Sequence, residues 1–265
     1  MAAITPQLVK ELRDKTDAGM MECKKALTQT NGDIEAAVDI LRKAGIAKSV
    51  NRADRATKEG KVFIAVDGNQ AVAIEVLCET DFVANNEKFL EYGRSAARKI
   101  LAATEGDGDI SEAAQKMEET ELAALFAKFG EKMTLRRALR YVSNGRIAFY
   151  LHAGGKIGVM VDIEGEIDDE GANNVCLQIA AFNPLFVTSG QIPADQIAHE
   201  REIAVAQLAG KPANIIDKIV DGKLAKWYEE ICLVNQKWIM DDKTSFGKLY
   251  PKASVKRFIR WAVGQ

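Results

Sequence analysis

Histidine is nearly absent from this chain. His152 and His199 are the only two in 265 residues, too few for most metal sites or acid–base pairs built on imidazole. The four cysteines, Cys23, Cys78, Cys176 and Cys232, are scattered without a Cys-x-x-Cys pair. That spacing fits reduced thiols in a reducing compartment and neither a disulfide framework nor a zinc site. No apolar run approaches the ~20 residues of a membrane span, and the N-terminus lacks the apolar core of a signal peptide. Charge of one sign is also missing: 36 Lys and Arg stand against 38 Asp and Glu, for a net charge of −2. This balance argues against a partner made of nucleic acid.

Catalytic signatures are missing as well. There is no Gly-x-Gly-x-x-Gly between a strand and a helix, no Gly-x-x-x-x-Gly-Lys-Ser/Thr and no Gly-x-Ser-x-Gly. His152-Ala153-Gly154-Gly155 has the flavour of a Gly-rich oxyanion loop but lies in a hairpin turn without a nucleophile motif. Asp168-Asp169-Glu170 lacks the ligand spacing of a metal site and reads as a solvated loop. The composition leaves a cytoplasmic globular protein in which no catalytic residue, cofactor or metal constellation is recognisable, with no membrane or direct nucleic-acid partner expected.

What is present divides into pieces. Ile4, Leu8 and Leu12 recur at helical spacing, with Thr5 as N-cap and Pro6 at the first helical position. Asp17-Ala18-Gly19 interrupts, Met20 to Leu27 resumes, and Asn31-Gly32-Asp33 turns into a third helix that stops at Gly45. Residues 1–46 therefore read as a three-helix module. Residues 47–60 read as a basic linker carrying Lys48, Arg52, Arg55 and Lys58, without the aromatics that stack on bases.

The periodicity then changes from helix to strand. Val62, Ile64 and Val66 alternate, Asp67-Gly68-Asn69 turns, and Val72, Ile74 and Val76 alternate again, a hairpin signal. Ile147, Phe149 and Leu151, a turn at Ala153-Gly154-Gly155, and Ile157, Val159 and Val161 repeat it. An offset of 85 places Gly60 on Gly145 and Val72 on Ile157 without a gap. Helical stretches follow each hairpin, 85–103 and 170–181, and Ser111 to Phe129 forms another, with Ser111 as a cap. The fold expected is α+β, a core of two related subdomains, each a small sheet covered on one face by helices. One is 61–143; the other is 144–193 plus 231–265, with a last strand over Val255 to Val263. Between its parts, 194–230 reads as an antiparallel helical hairpin broken at Gly210-Lys211-Pro212. Its narrow stripe leaves two readings open: packing on its own domain, or projecting to pair with another copy.

Glu79-Thr80-Asp81-Phe82-Val83 is anomalous, because Phe82 and Val83 set apolar surface beside an acid just past a strand end. Either Thr80 or Asp81 caps a helix while Phe82 staples it to the sheet, or Phe82 is exposed for function.

Two stretches bear on that choice. Leu12 to Leu27 (LRDKTDAGMMECKKAL), continued by Asn31-Gly32-Asp33-Ile34-Glu35, and Glu75 to Asn85 (EVLCETDFVAN) resemble the two signatures of the elongation factor Ts family. The resemblance covers essentially the whole chain in order. It implies a guanine-nucleotide exchange factor that binds the GDP form of the translational GTPase elongation factor Tu and speeds GDP release. The N-terminal module would be ubiquitin-associated-like and dock on the GTPase domain, with Leu12, Met20 and Met21 at that contact. Thr80, Asp81, Phe82 and Val83 would form the tip that disturbs the Mg²⁺ and phosphate sites, and the region of His152 would touch a more distant β-domain. The 194–230 hairpin is the dimerisation element in some relatives, so a homodimer is an expectation. Leu77 departs from the usual Asn, and the chain ends at Gln265 where some members carry a further C-terminal helix. The competing readings are a non-catalytic interaction adaptor with a ubiquitin-associated-like module and an enzyme whose site the sequence conceals.

Overall fold

The computed structural model describes residues 4–16, 18–50, 56–208 and 213–265, with side chains left aside at 42, 45–50 and 213–215. Asp17, the linker arginines Arg52 and Arg55, and the Gly210-Lys211-Pro212 break lie outside the described residues, as do the side chains of Lys48 and Ile215.

Three helices open the chain: α1 (Pro6–Thr16), α2 (Met20–Gln29) and α3 (Ile34–Val50). The Thr5 hydroxyl accepts from the Leu8 amide at 3.3 Å and the Asp33 carboxylate from the Ala36 amide at 3.0 Å, so α1 and α3 start on the expected caps. Asn31 (φ 52°) and Gly32 (φ 91°) make the left-handed turn between α2 and α3. Leu12, Cys23, Leu27 and Ala37 form a separate small core. Helix α3 does not stop at Gly45 but continues to Val50. One glycine costs a helix only about 1 kcal/mol, and the flanking Ala, Ile and Lys favour continuation. The helix also lies against α6, described below.

The core holds two antiparallel sheets. The first hairpin, β1 (Glu59–Asp67) and β2 (Gln70–Cys78), closes through Gly68 and Asn69. After it come α4 (Asp81–Ala84), α5 (Glu87–Ala103), the short β3 (Gly108–Asp109), α6 (Ser111–Phe129) and β4 (Thr134–Val142), giving sheet order β1-β2-β4-β3. The second sheet, β5-β6-β7, joins β5 (Arg146–His152) and β6 (Ile157–Gly165) to β7 (Ala253–Ala262). Helix α7 (Asp169–Phe182) covers it, with Val175, Cys176 and Ile179 buried against Val159, Val161 and Ile163. Phe63, Val72, Ile74 and Val76 likewise meet Phe89, Ala97 and Ile100 of α5.

Neither sheet is wet on its other face. Ile64, Ala71, Ala73, Leu139 and Tyr141 of the first pack on Ile147, Met160, Ile259 and Trp261 of the second. Each sheet is thus covered on one face by helices, as expected, and the two remaining faces meet to give four layers, helix–sheet–sheet–helix. Small residues make this close approach fit: a Cβ on Gly158 would overlap the Val62 side chain. The alternation of Val62, Ile64 and Val66 marks this inter-sheet face, which Val66 leaves at the rim, 37% exposed.

The repeat also needs correction. Gly60 pairs with Leu77, and the equivalent Gly145 lies against Glu164. The offset is thus 85 on the first strand (60 to 145) and 87 on the second (77 to 164). The second turn is two residues longer, and Val72, which pairs with Ala65, matches Val159, which pairs with Tyr150, instead of Ile157. Ser111 is the first helical residue and not the cap of α6; its hydroxyl bonds the Ala138 amide at 2.9 Å and ties the helix to β4.

Between α7 and β7 the chain forms α8 (Ala194–Ala206), α9 (Ala213–Ile231) and the single turn α10 (Phe246–Leu249). Helices α8 and α9 bury Ala204, Leu208, Val220 and Leu224 between themselves. Ile203 and Val205 of α8 are exposed. Strand β7 then pairs with β6, so the expected last strand completes the second sheet.

Candidate functional site

Strand β2 runs to Cys78 and the chain turns at once into α4, a single helical turn. Thr80 has extended backbone (φ −126°, ψ 156°) and caps that turn, its hydroxyl accepting from the Val83 amide at 3.4 Å. Val83 and Ala84 drop into the core beside Phe89. A one-turn helix with those residues inward must aim Phe82 outward, and Phe82 is 85% exposed. Capping by Thr80 is thus real, while the stapling role for Phe82 is corrected: its ring lies outside the core. Asp81 beside it is exposed, and its carbonyl oxygen accepts from the Asn85 side chain at 2.9 Å.

The base of this tip is fixed from across the sheet. Glu131, just past the left-handed Gly130 (φ 72°) that ends α6, accepts from the Thr80 amide at 3.0 Å and from its hydroxyl at 2.7 Å. The Glu79 carboxylate accepts from the Lys132 amide at 2.7 Å. The Cys78 thiol donates to the Thr80 carbonyl oxygen at 3.1 Å. Burial first, and then the Glu131 charge, push that thiol up to about 12, so it stays protonated at neutral pH. Sequence reasoning missed Glu131, and only its position next to a helix-ending glycine could have marked it. Leu77 is paired on both sides, with Gly60 and with Thr134, so the departure from Asn leaves the strand paired up to the tip.

The other sequence-derived residues fall elsewhere. Leu12 is fully buried in the three-helix core, which removes it as a surface contact. Met20 and Met21 are 60% and 74% exposed at the start of α2. They line a cleft of about 520 Å³ with Ile4, Val9, Arg13 and Lys24. His152 is exposed at the end of β5, its Nδ1 3.2 Å from the Tyr150 hydroxyl. The turn after it holds Ala153, Gly154 and Gly155 at positive φ, and Gly155 lies so near the Val62 carbonyl that a Cβ would stand 2.9 Å away. Lys156, closing that turn, forms an ion pair with Glu59, and Glu59 is the ladder partner of Cys78. The His152 turn and the Phe82 tip are thereby braced on the same strand pair. Burial, then the Lys156 charge, lower the pKa of Lys61 between them.

Among the described residues no cluster of three or more His, Cys, Asp or Glu could hold a metal ion. No helix there is long and apolar enough to cross a membrane.

A family model described as "Elongation factor TS" matches residues 79–265. The match opens on the residue before the tip and takes in Thr80 to Val83, Glu131 and the His152 turn. The N-terminal signature at residues 12–27 lies outside it. It spans well over half of the sequence, and the chain belongs to the elongation factor Ts family, a family of translation elongation factors.

Proposed function

We propose that this chain is a guanine-nucleotide exchange factor for elongation factor Tu and acts by wedging Asp81 and Phe82 into the GTPase domain. The observation that carries this reading is a large aromatic ring, 85% exposed, on a turn whose base is hydrogen-bonded to the residue that follows the end of α6. GDP is held by Mg²⁺ and by backbone amides around its phosphates. A factor that prefers the nucleotide-free state weakens GDP by the same factor by which GDP weakens it. Burying a phenylalanine contributes about 1.5–3 kcal/mol, and a rigid wedge gains it only where helices of the partner part. No proton or group transfer is required of the factor itself, which suits a chain that carries no catalytic signature. Met20 and Met21 would supply a second apolar contact, and the turn at His152 a third. The exposed Ile203 and Val205 on the α8–α9 hairpin would pair with a second copy.

The test is direct. Elongation factor Tu loaded with fluorescent GDP should release it faster in proportion to added protein until saturation. Binding without faster release would instead leave an interaction adaptor.

A further inference from the structure

We propose that Glu131 is the positioning residue for the Phe82 tip; its role in exchange rests on the function proposed above. The carboxylate takes both polar hydrogens of Thr80, one oxygen for the amide and one for the hydroxyl. With the hydroxyl hydrogen turned to Glu131, a lone pair of the same oxygen faces the Val83 amide. The carbonyl oxygen of Thr80 accepts from the Cys78 thiol and, at 3.2 Å, from the Ala84 amide. Every polar atom of the capping residue is therefore used, and Glu131 sets the orientation of two of them.

The clamp matters because α4 cannot hold itself. A single helical turn fixes several dihedrals for very few hydrogen bonds and does not persist alone. Bonds to an ionised carboxylate are roughly twice as strong as neutral ones, and two from one residue fix its backbone and side chain together. The second strap, from the Lys132 amide to Glu79, repeats the connection one residue away on each side. Residues 79–80 and 131–132 thus grip each other reciprocally, and the gripped segment ends where the exposed tip begins. Glu131 itself need not reach the partner; it acts through Thr80 on the direction of Phe82.

The experiment combines Glu131→Ala and Glu131→Gln with Phe82→Ala, following fluorescent GDP release against factor concentration. Glu131→Ala should lower the saturating rate about tenfold, as expected for loss of charge-assisted bonds, and Glu131→Gln, which keeps one acceptor, should recover part of it. In the Phe82→Ala background the same substitution should change the rate by less than about twofold, because residues acting as one unit are not additive. An equal loss in both backgrounds, or full activity of Glu131→Ala, would overturn the proposal. A second measurement needs no partner and places an indole at the tip by Phe82→Trp. Its anisotropy decay is read as the difference from the parent chain, whose three tryptophans are common to both. Adding Glu131→Ala should enlarge the fast nanosecond component of that difference. An unchanged decay, with the thermal midpoint preserved, would also overturn the proposal. If the unmodified protein fails to speed GDP release, the exchange reading falls alone, and the anisotropy still decides whether Glu131 fixes the tip.

Discussion

At the scale of single residues, Phe82 and Gly60 make opposite predictions. Phe82 lends nothing to the core, so Phe82→Ala should leave the thermal midpoint unchanged. It should slow GDP release from elongation factor Tu by roughly 10- to 100-fold, the loss of about 1.5–3 kcal/mol of wedge burial. A lowered midpoint with normal exchange would restore the stapling role. Gly60 sits at φ 146°, and a Cβ there would overlap the Val76 carbonyl oxygen. Gly60→Ala should therefore destabilise by about 2 kcal/mol, or about 4–8 °C in midpoint for a chain of this size, as calorimetry would show. The sequence displayed the anomaly at Phe82 but not its resolution. Val83 and Phe82 are both apolar, and which of them points inward is decided by the φ and ψ of Thr80, which Glu131 holds from 51 residues away.

At the scale of elements, strand β4 shows what patterning could not reveal. No alternation marked this strand in the sequence, and its arginines are answered within the fold: Arg137 pairs at 2.5 Å with the fully buried Glu75 and stacks 4.5 Å over Trp261. Arg140 donates to the Leu101 carbonyl oxygen at the end of α5 at 2.7 Å. Charges answered inside the protein look identical, in sequence, to charges on a surface. The hairpins and long helices were legible because their alternation and turn residues are local; the two-residue offset between repeats was not, since only strand pairing reveals it. A further lock joins the sheets. Arg257 of β7 donates to Asp107 at 2.8 Å and to Asp162 at 3.0 Å, over the Tyr141 ring. The hydrogen bond from Arg257 holds the Asp107 carboxyl below its ordinary value of 3.8. Its folded pKa being the lower one, the bond stabilises above pH 3.8 and the benefit disappears as pH falls through the folded value. Melting curves should show Asp107→Asn less stable than the parent at neutral pH, with the gap closing in acid.

At the scale of the whole molecule, the three-helix module has its own core and meets the rest of the chain mainly through α3 against α6. Deleting residues 1–50 should leave the two-sheet body folded and weaken binding to elongation factor Tu at least about tenfold, the worth of one modest apolar contact. Equal affinity of the truncated protein in titration would remove the module from the interface. The α8–α9 hairpin likewise has its own core, with apolar residues left outside it. Sedimentation of the intact protein should give a dimer that becomes a monomer when Ile203 and Val205 are replaced by Ser.

The saturated bonding of Thr80 has a consequence for deuterium uptake. Its amide donates to a carboxylate, while the amides of Asp81 and Phe82, in the first turn of α4, find no acceptor among the described residues. Neighbouring amides should therefore exchange with solvent at very different rates, slow at Thr80 and fast at the next two. That step, one peptide bond wide, is a built-in marker of the tip, and burial by a docked partner would erase it from one side only.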